Sequence, residues 1–208
     1  LKIDFLSTPF DLESVSFLNP LVPLFKISSS DITNIPLIKK IANCRKPVIL
    51  STGASNIDEI KSAVKILRKG TKKIIIMHCI LNYPTKDSNA NLSMILDLKK
   101  NFPQYIIGYS DHTLPDSNML NLTTAYSLGA KVIEKHFTHN KKLKGNDHYH
   151  SMDFKDLKNL SKNIKHINII LGKIGKKKFV KSEVKSRKFA RRSIVVKKDL
   201  KKNKIITE

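Results

Sequence analysis

Four of the seven histidines fall between residues 134 and 150, in EKHFTHNKKLKGNDHYH: His136, His139, His148 and His150. Such a stretch could bind a metal ion, grip nucleic acid through its lysines, or simply meet solvent. Position separates the histidines. His136 in EKHFT closes an apolar, β-branched run, and His112 in GYSDHT closes another. Neutral imidazole is the commonest ligand for divalent first-row metals. Two such groups on neighbouring strand ends can share an ion and leave positions open for substrate or water. One histidine alone is more often a core or hydrogen-bonding residue; the pair His112 and His136 favours a metal. His139, His148 and His150 read as loop groups around it.

A second group of residues suits an anion. Lys26, Ser29, Ser51 and Ser110 follow or end apolar runs, and the turns SSSD and STGAS offer backbone donors. An ammonium and three hydroxyls fit a phosphate or a carboxylate, for which charge-assisted bonds are the strong ones. Serines after strands also cap helices, which accounts for any one of them. It does not account for Lys26, between Phe25 and Ile27, whose charge needs a partner. Asp147, in KGNDHYH, is balanced between a carboxylate that binds a polyol or acts as a base and an exposed turn residue beside Gly145 and Asn146.

The elements that must position these groups alternate. Strand-like runs occupy 3–8, 23–28, 47–52, 73–79, 105–110 and 131–137, with amphipathic stretches between them. In NIDEIKSAVKILRKG, Ile57, Ile60, Val64 and Leu67 repeat at helical spacing, with Asn56 as N-cap and Gly70 as stop. Repeated strand–helix units predict a parallel sheet. Polar groups end every run, which fits a (β/α)8 TIM-barrel mouth better than an open sheet with a single switch point. A complete barrel has eight strands in about 250 residues. Six runs predict a barrel lacking its first two βα units. The domain is expected over 1–173, followed by a basic linker over 174–192 and the start of another domain, with two short strands, over 193–208.

Composition narrows the function classes. The formal charge is +22, yet only five of the 39 basic residues are Arg. Base readout favours Arg, so the scattered lysines read as a solvated surface, with a basic nucleic-acid-binding module as the alternative. Cys44 and Cys79 are isolated, which argues against a disulfide scaffold or a cysteine zinc site. No apolar run has the length of a membrane span, and the first residues do not read as a secretory signal, so the chain reads as cytoplasmic.

Seven segments in order, FLSTPFDLESVSFL, FKISSSDITNIPLI, KPVILSTGAS, HCILNYP, GYSDHT, EKHFT and GNDH, resemble the N-acetylneuraminate (sialic acid) synthases and their legionaminic acid and spore-coat relatives. ARRSIVVKKDLKKNKIITE is similar to the linker and first strands of that family's antifreeze-like (SAF) domain. The resemblance implies a transferase that condenses phosphoenolpyruvate with the open-chain aldehyde of an N-acylated, N-acetylmannosamine-like amino sugar, with another phosphoenolpyruvate-condensing barrel such as a pseudaminic acid synthase as a further alternative. It also implies a divalent metal, Mn2+ or Mg2+, and a homodimer of the full-length protein.

Carried over by residue, His112 and His136 match metal ligands. Thr8, Lys26, Ser29, Ser51, Tyr83 and Ser110 match phosphoenolpyruvate positions. Asp147 matches a carboxylate that binds sugar hydroxyls, and Asp31 an acidic residue beside the site. Ile80 and Leu81 depart from the pattern, standing where the family carries a Thr and then a Ser or Asn.

Overall fold

Five of the apolar runs form strands in a computed structural model that describes residues 2–173 and 175–205. They are β1 (Phe25–Ile27), β2 (Val48–Ser51), β3 (Ile74–Cys79), β4 (Ile106–Asp111) and β5 (Ile133–Lys135). All neighbours are parallel, in the order β1-β2-β3-β4-β5. Helix α1 (Leu12–Leu18) precedes β1. The crossovers carry α2 (Ile35–Asn43), α3 (Ile57–Leu67), α4 (Met94–Asn101) and α5 (Leu120–Ser127), and α6 (Phe154–Leu171) follows β5.

A strictly sequential order contains no reversal, so right-handed crossovers put every helix on one face of the sheet. That face holds the core: Phe25, Ile27, Val48, Leu50, Ile74, Ile76, Ile107 and Tyr109 pack with Leu37, Ile41, Val64, Leu67 and Ile95. The other face carries the alternate residues Lys26, Ser51, Cys79, Ser110 and Glu134, aligned by the ladder pairs Lys26↔Ile49, Cys79↔Ser110 and Ser110↔Glu134.

Curvature follows from one contact. In a flat sheet β1 and β5 would lie about 19 Å apart, four strand spacings of about 4.8 Å. Lys26 Nζ is nevertheless 2.9 Å from Glu134 Oε2. The sheet must bend toward its polar face, and the described strands form a parallel α/β half-barrel.

The strand expected over 3–8 does not form. Those residues join no ladder, and Ile3, Phe5 and Leu6 are exposed. β1 is hydrogen-bonded on one edge only, to β2. An extended run without a partner strand leaves its backbone groups to water.

Local signals elsewhere hold. Asn56 caps α3 in a capping box, accepting from the Asp58 and Glu59 amides while Glu59 Oε2 accepts from the Asn56 amide at 2.8 Å. The helix ends at Leu67, before Gly70, so Gly70 is not its direct stop. Its role is close approach: a Cβ there would stand 1.7 Å from the carbonyl oxygen of Ala42, in the last turn of α2.

The chain divides into two compact units, residues 1–170 and 171–208. In the second, the stretch expected as a linker over 174–192 contains a helical turn at Lys181–Glu183 and a short helix, α7 (Val184–Ala190). The Val180 amide donates to Glu183 Oε2 at 2.7 Å, and the Arg187 guanidinium sits 4.7 Å from the Phe179 ring centre. The strands expected within 193–208 do not form among the described residues, where Ile194, Val195 and Val196 are exposed. A two-stranded ribbon buries too little to stand without a packing partner. Residues 206–208, and residue 174 of the expected linker, lie outside the described residues. Among the described residues no helix is long and apolar enough to cross a membrane.

Candidate active site

The strand ends are held by a polar network on the helix side. Lys135 Nζ lies 2.7 Å from Asp111 Oδ2, both side chains essentially buried, and donates to the Thr113 carbonyl at 2.7 Å. Asp111 also accepts from the Tyr109 hydroxyl, the Thr113 amide and the Thr113 hydroxyl. A buried ion pair is tolerable when its remaining donors and acceptors are met in this way. The network clamps β4 to β5. Alternation then turns Ser110 and His112, and Glu134 and His136, to the opposite face. Asp111 is thus structural, and so is His78, whose Nε2 donates to the Ala90 carbonyl at 2.8 Å while its ring stacks on Tyr109.

On the inner face Glu134 is the hub. It accepts from Lys26 Nζ at 3.0 Å and from the Ser110 hydroxyl at 2.7 Å. Burial pushes its carboxyl pKa up, but the Lys26 ammonium and the two donated hydrogen bonds outweigh that and leave it below the ordinary value. The charge of Lys26 therefore has a partner inside the chain. Beside it, Ser29 Oγ accepts from the Gly53 amide at 2.9 Å, joining the turns after β1 and β2. A Cβ on Gly53 would come within 2.9 Å of that hydroxyl, so this close approach selects glycine. Ser51 Oγ is buried and has no hydrogen-bond partner among the described residues. Burial pushes the Cys79 thiol up, which keeps it protonated rather than nucleophilic.

The histidines gather further along the same rim. His112 Nδ1 bonds the Ile80 carbonyl at 2.8 Å. A carbonyl only accepts, so Nδ1 carries the proton and Nε2 keeps a free lone pair, the tautomer needed for a metal ligand. Burial lowers the pKa of both His112 and His136, favouring the neutral, ligating form. Their ring centres are 5.4 Å apart, and Tyr83 covers both at 4.0 and 5.8 Å.

The long loop after β5 folds back onto this group. The Met152 amide donates to the His136 carbonyl and the Thr138 amide to the Met152 carbonyl, each at 2.9 Å. Lys141 pairs with Asp153 and Asp156 at the start of α6. Gly145, at φ +125°, takes the turn that an L side chain would resist. Pinned at its base, the loop carries Asp147 Oδ1 to 4.0 Å from His136 Nδ1 and 3.5 Å from His150 Nε2. One ligand atom each from His136, Asp147 and His150 lies within 4.8 Å of the other two.

This arrangement of anion-binding groups beside a histidine cluster, on the inner face of a curved parallel sheet, can be set beside known proteins. The model of the NeuB family matches residues 1–176. The chain belongs to the NeuB family. The N,N'-diacetyllegionaminic acid synthase of Campylobacter jejuni is 46% identical over 211 residues, covering 100% of this chain and 62% of the relative. The Legionella pneumophila enzyme of the same name is 39% identical over 214 residues, covering 100% of this chain and 59% of the relative. The chain thus spans about three-fifths of these relatives. Among solved structures, the N-acetylneuraminic acid (sialic acid) synthetase of Leptospira borgpetersenii, in complex with citrate, aligns with a TM-score of 0.79 at 37% identity, over 88% of this chain and 62% of that one.

Within this NeuB-family chain the residues singled out from sequence fall into two sets. Lys26 and Ser110 meet through Glu134, Ser29 and Ser51 stand on the neighbouring strand ends, and Tyr83, His112, His136 and Asp147 form the adjoining cluster. Two stay outside. Thr8 sits in the unpaired segment before α1 and makes no side-chain hydrogen bond in the described structure. Asp31 is engaged locally, accepting from Asn34 Nδ2 at 3.1 Å and from Ser30 Oγ at 3.4 Å. Two residues of the cluster were not in the sequence-derived set, Glu134 and His150. Glu134 sits two positions before His136 and so shares its face of β5. His150 follows Asp147 by three, the spacing that puts two side chains on one side of a helical turn.

Proposed function

We propose that the protein carries the bond-forming site of a synthase that condenses phosphoenolpyruvate with the open-chain aldehyde of an N-acylated amino sugar, yielding a nonulosonic acid and phosphate. The observation that supports it is the adjacency of two zones on one inner face. Lys26, Ser29, Ser51 and Ser110 supply donors for an anion, and His112 and His136 beside them supply imidazole ligands. Family membership supports the same reading and does not favour the basic nucleic-acid-binding alternative.

In this reading Lys26 and the three serines, with Tyr83, hold the carboxylate and phosphate of phosphoenolpyruvate. Glu134 orients the Lys26 and Ser110 donors. The enol carbon bonds to the aldehyde carbon, water adds to the cationic carbon that results, and phosphate leaves with cleavage of its C–O bond. Phosphoenolpyruvate, aldehyde and one water thus account for every atom of the acid and the phosphate. His112, held by the Ile80 carbonyl, and His136 fit a divalent ion, because each combines burial with a neutral ring and His136 Nδ1 is buried with no hydrogen-bond partner. Mn2+ or Mg2+ bound there would supply polarisation of the aldehyde oxygen. Asp147 accepts hydrogen bonds from sugar hydroxyls, and Asp31 flanks the site. The Campylobacter and Legionella relatives are named for a product with two N-acetyl groups, which supports a diacetamido sugar as acceptor, whereas the Leptospira structure, named for N-acetylneuraminic acid, supports an N-acetylmannosamine-like one. A homodimer completes the reading, on the family resemblance.

The test is turnover by the protein expressed from its complete gene. Phosphoenolpyruvate and Mn2+ are supplied with a diacetamido sugar, with N-acetylmannosamine, or with a pseudaminic-type precursor. Inorganic phosphate should appear in step with loss of one aldehyde. No phosphate from any of the three would overturn the proposal.

A further inference from the structure

His150 is wholly buried, and among the described residues neither of its ring nitrogens has a hydrogen-bond partner. The large majority of buried polar side-chain atoms in native proteins are met, and an orphan points to a water or an ion that completes it. His136 Nδ1, in the same cluster, is orphaned as well. Aromatic packing accounts for the ring of His150, whose centre is 5.1 Å from both Tyr149 and His136 and 6.2 Å from Tyr83. It leaves the nitrogens unexplained.

The oxygen that both nitrogens face belongs to Asp147. Oδ1 is 3.5 Å from His150 Nε2 and 4.0 Å from His136 Nδ1, each too far for a hydrogen bond of useful strength. Those separations suit atoms that share a cation. Ligands about 2.0–2.2 Å from an ion lie about 2.8–3.6 Å from one another as neighbours in octahedral to tetrahedral geometry. The Asp147–His150 separation already falls in that range, and the Asp147–His136 separation is a few tenths of an ångström outside it. Asp147 sits on an exposed loop turn, free to close that gap.

We propose that His150 is a metal ligand, joining the His112–His136 pair together with Asp147 Oδ1, which leaves Asp147 Oδ2 for sugar hydroxyls, and that it draws the ion toward the loop after β5. The His136 end of this set rests on the reading above; His150 and Asp147 are additional to it. Imidazoles with one carboxylate favour a first-row transition ion over Mg2+, which prefers oxygen ligands and keeps its waters. The set also ties metal retention to the loop. An ion held by Asp147 and His150 fastens residues 147–150 over the cluster, beside Tyr83.

Mn2+ binding, followed by the electron paramagnetic resonance of the free ion, tests this without turnover. His150→Phe preserves the packed ring volume and removes both nitrogens; His136→Phe is the reference for the proposed function. The Kd for Mn2+ should rise at least about tenfold in His150→Phe, and wild type should take up Mn2+ in preference to Mg2+. A variant-free measurement guards against misfolding: Zn2+ added to wild type should shift a ring 15N resonance of His150. Should His150→Phe bind Mn2+ like wild type and Zn2+ leave the His150 resonances unmoved while His136→Phe loses the ion, this inference is overturned and the proposed function stands. Should wild type take up no Mn2+, both are overturned.

Discussion

Lys26 Nζ and Glu134 Oε2 lie 2.9 Å apart, although 108 positions separate the two residues in the chain. The contact joins the first and last strands of the described sheet and sets the depressed carboxyl pKa of Glu134. A carboxyl whose folded pKa is lowered binds fewer protons folded than unfolded, so its contribution to stability is full above the unfolded value. It is lost as pH falls through the folded one. With an ordinary value of 4.5, that loss should begin near pH 4.5 and continue below it. Urea denaturation of wild type and Glu134→Gln across this range should show a shallower acid-side decline in the variant. Equal slopes would rule the linkage out.

The Asp111–Lys135 pair predicts a larger loss. Its side chains are 2% and 0% exposed, so removing one partner strands the other charge in the interior. Lys135→Met should destabilise the protein by about 3–5 kcal/mol. An equilibrium denaturation difference under about 1 kcal/mol would show that the network is not what clamps β4 to β5.

Gly70 makes a steric prediction. Alanine there would drive a methyl group to 1.7 Å from a backbone carbonyl, which no side-chain rotation relieves. Gly70→Ala should cost at least about 1–3 kcal/mol, the range of overpacked sites. A midpoint unchanged in thermal melts would mean that α2 and α3 slide apart freely.

Ser51 separates structure from ligand binding. Its buried hydroxyl has no partner, so Ser51→Ala should leave stability within about 0.5 kcal/mol of wild type or raise it. If the hydroxyl meets phosphoenolpyruvate, the same change should weaken that affinity about tenfold or more by calorimetry, the worth of a hydrogen bond to a charged group. Unchanged affinity would remove Ser51 from the proposed site.

Much of this was legible one-dimensionally. Period-two and period-3.6 patterns marked five strands and the α3 helix with its Asn56 cap, because alternation and capping depend on neighbours within one turn or one pleat. The same patterning misled at 3–8. A β-branched, apolar run signals the capacity to pair, whereas pairing needs a second strand edge. Among the described residues 193–205, Ile194, Val195 and Val196 likewise form no strand. Lys26 was correctly marked as a charge in need of a partner, but the partner, Glu134, lies across the bend of the sheet.

Residue types and their alternation along each strand were enough to put Lys26, Ser51, Ser110, His112 and His136 on one face at one end. Which of these touch, and what joins them, depended on the tertiary structure. Curvature brings β1 to β5, and a loop clamped between His136 and Met152 returns Asp147 and His150 to the rim. Both are properties of distance between segments far apart in the chain, set by how the sheet closes and where the loop is pinned. Spacing along the sequence carries no measure of either.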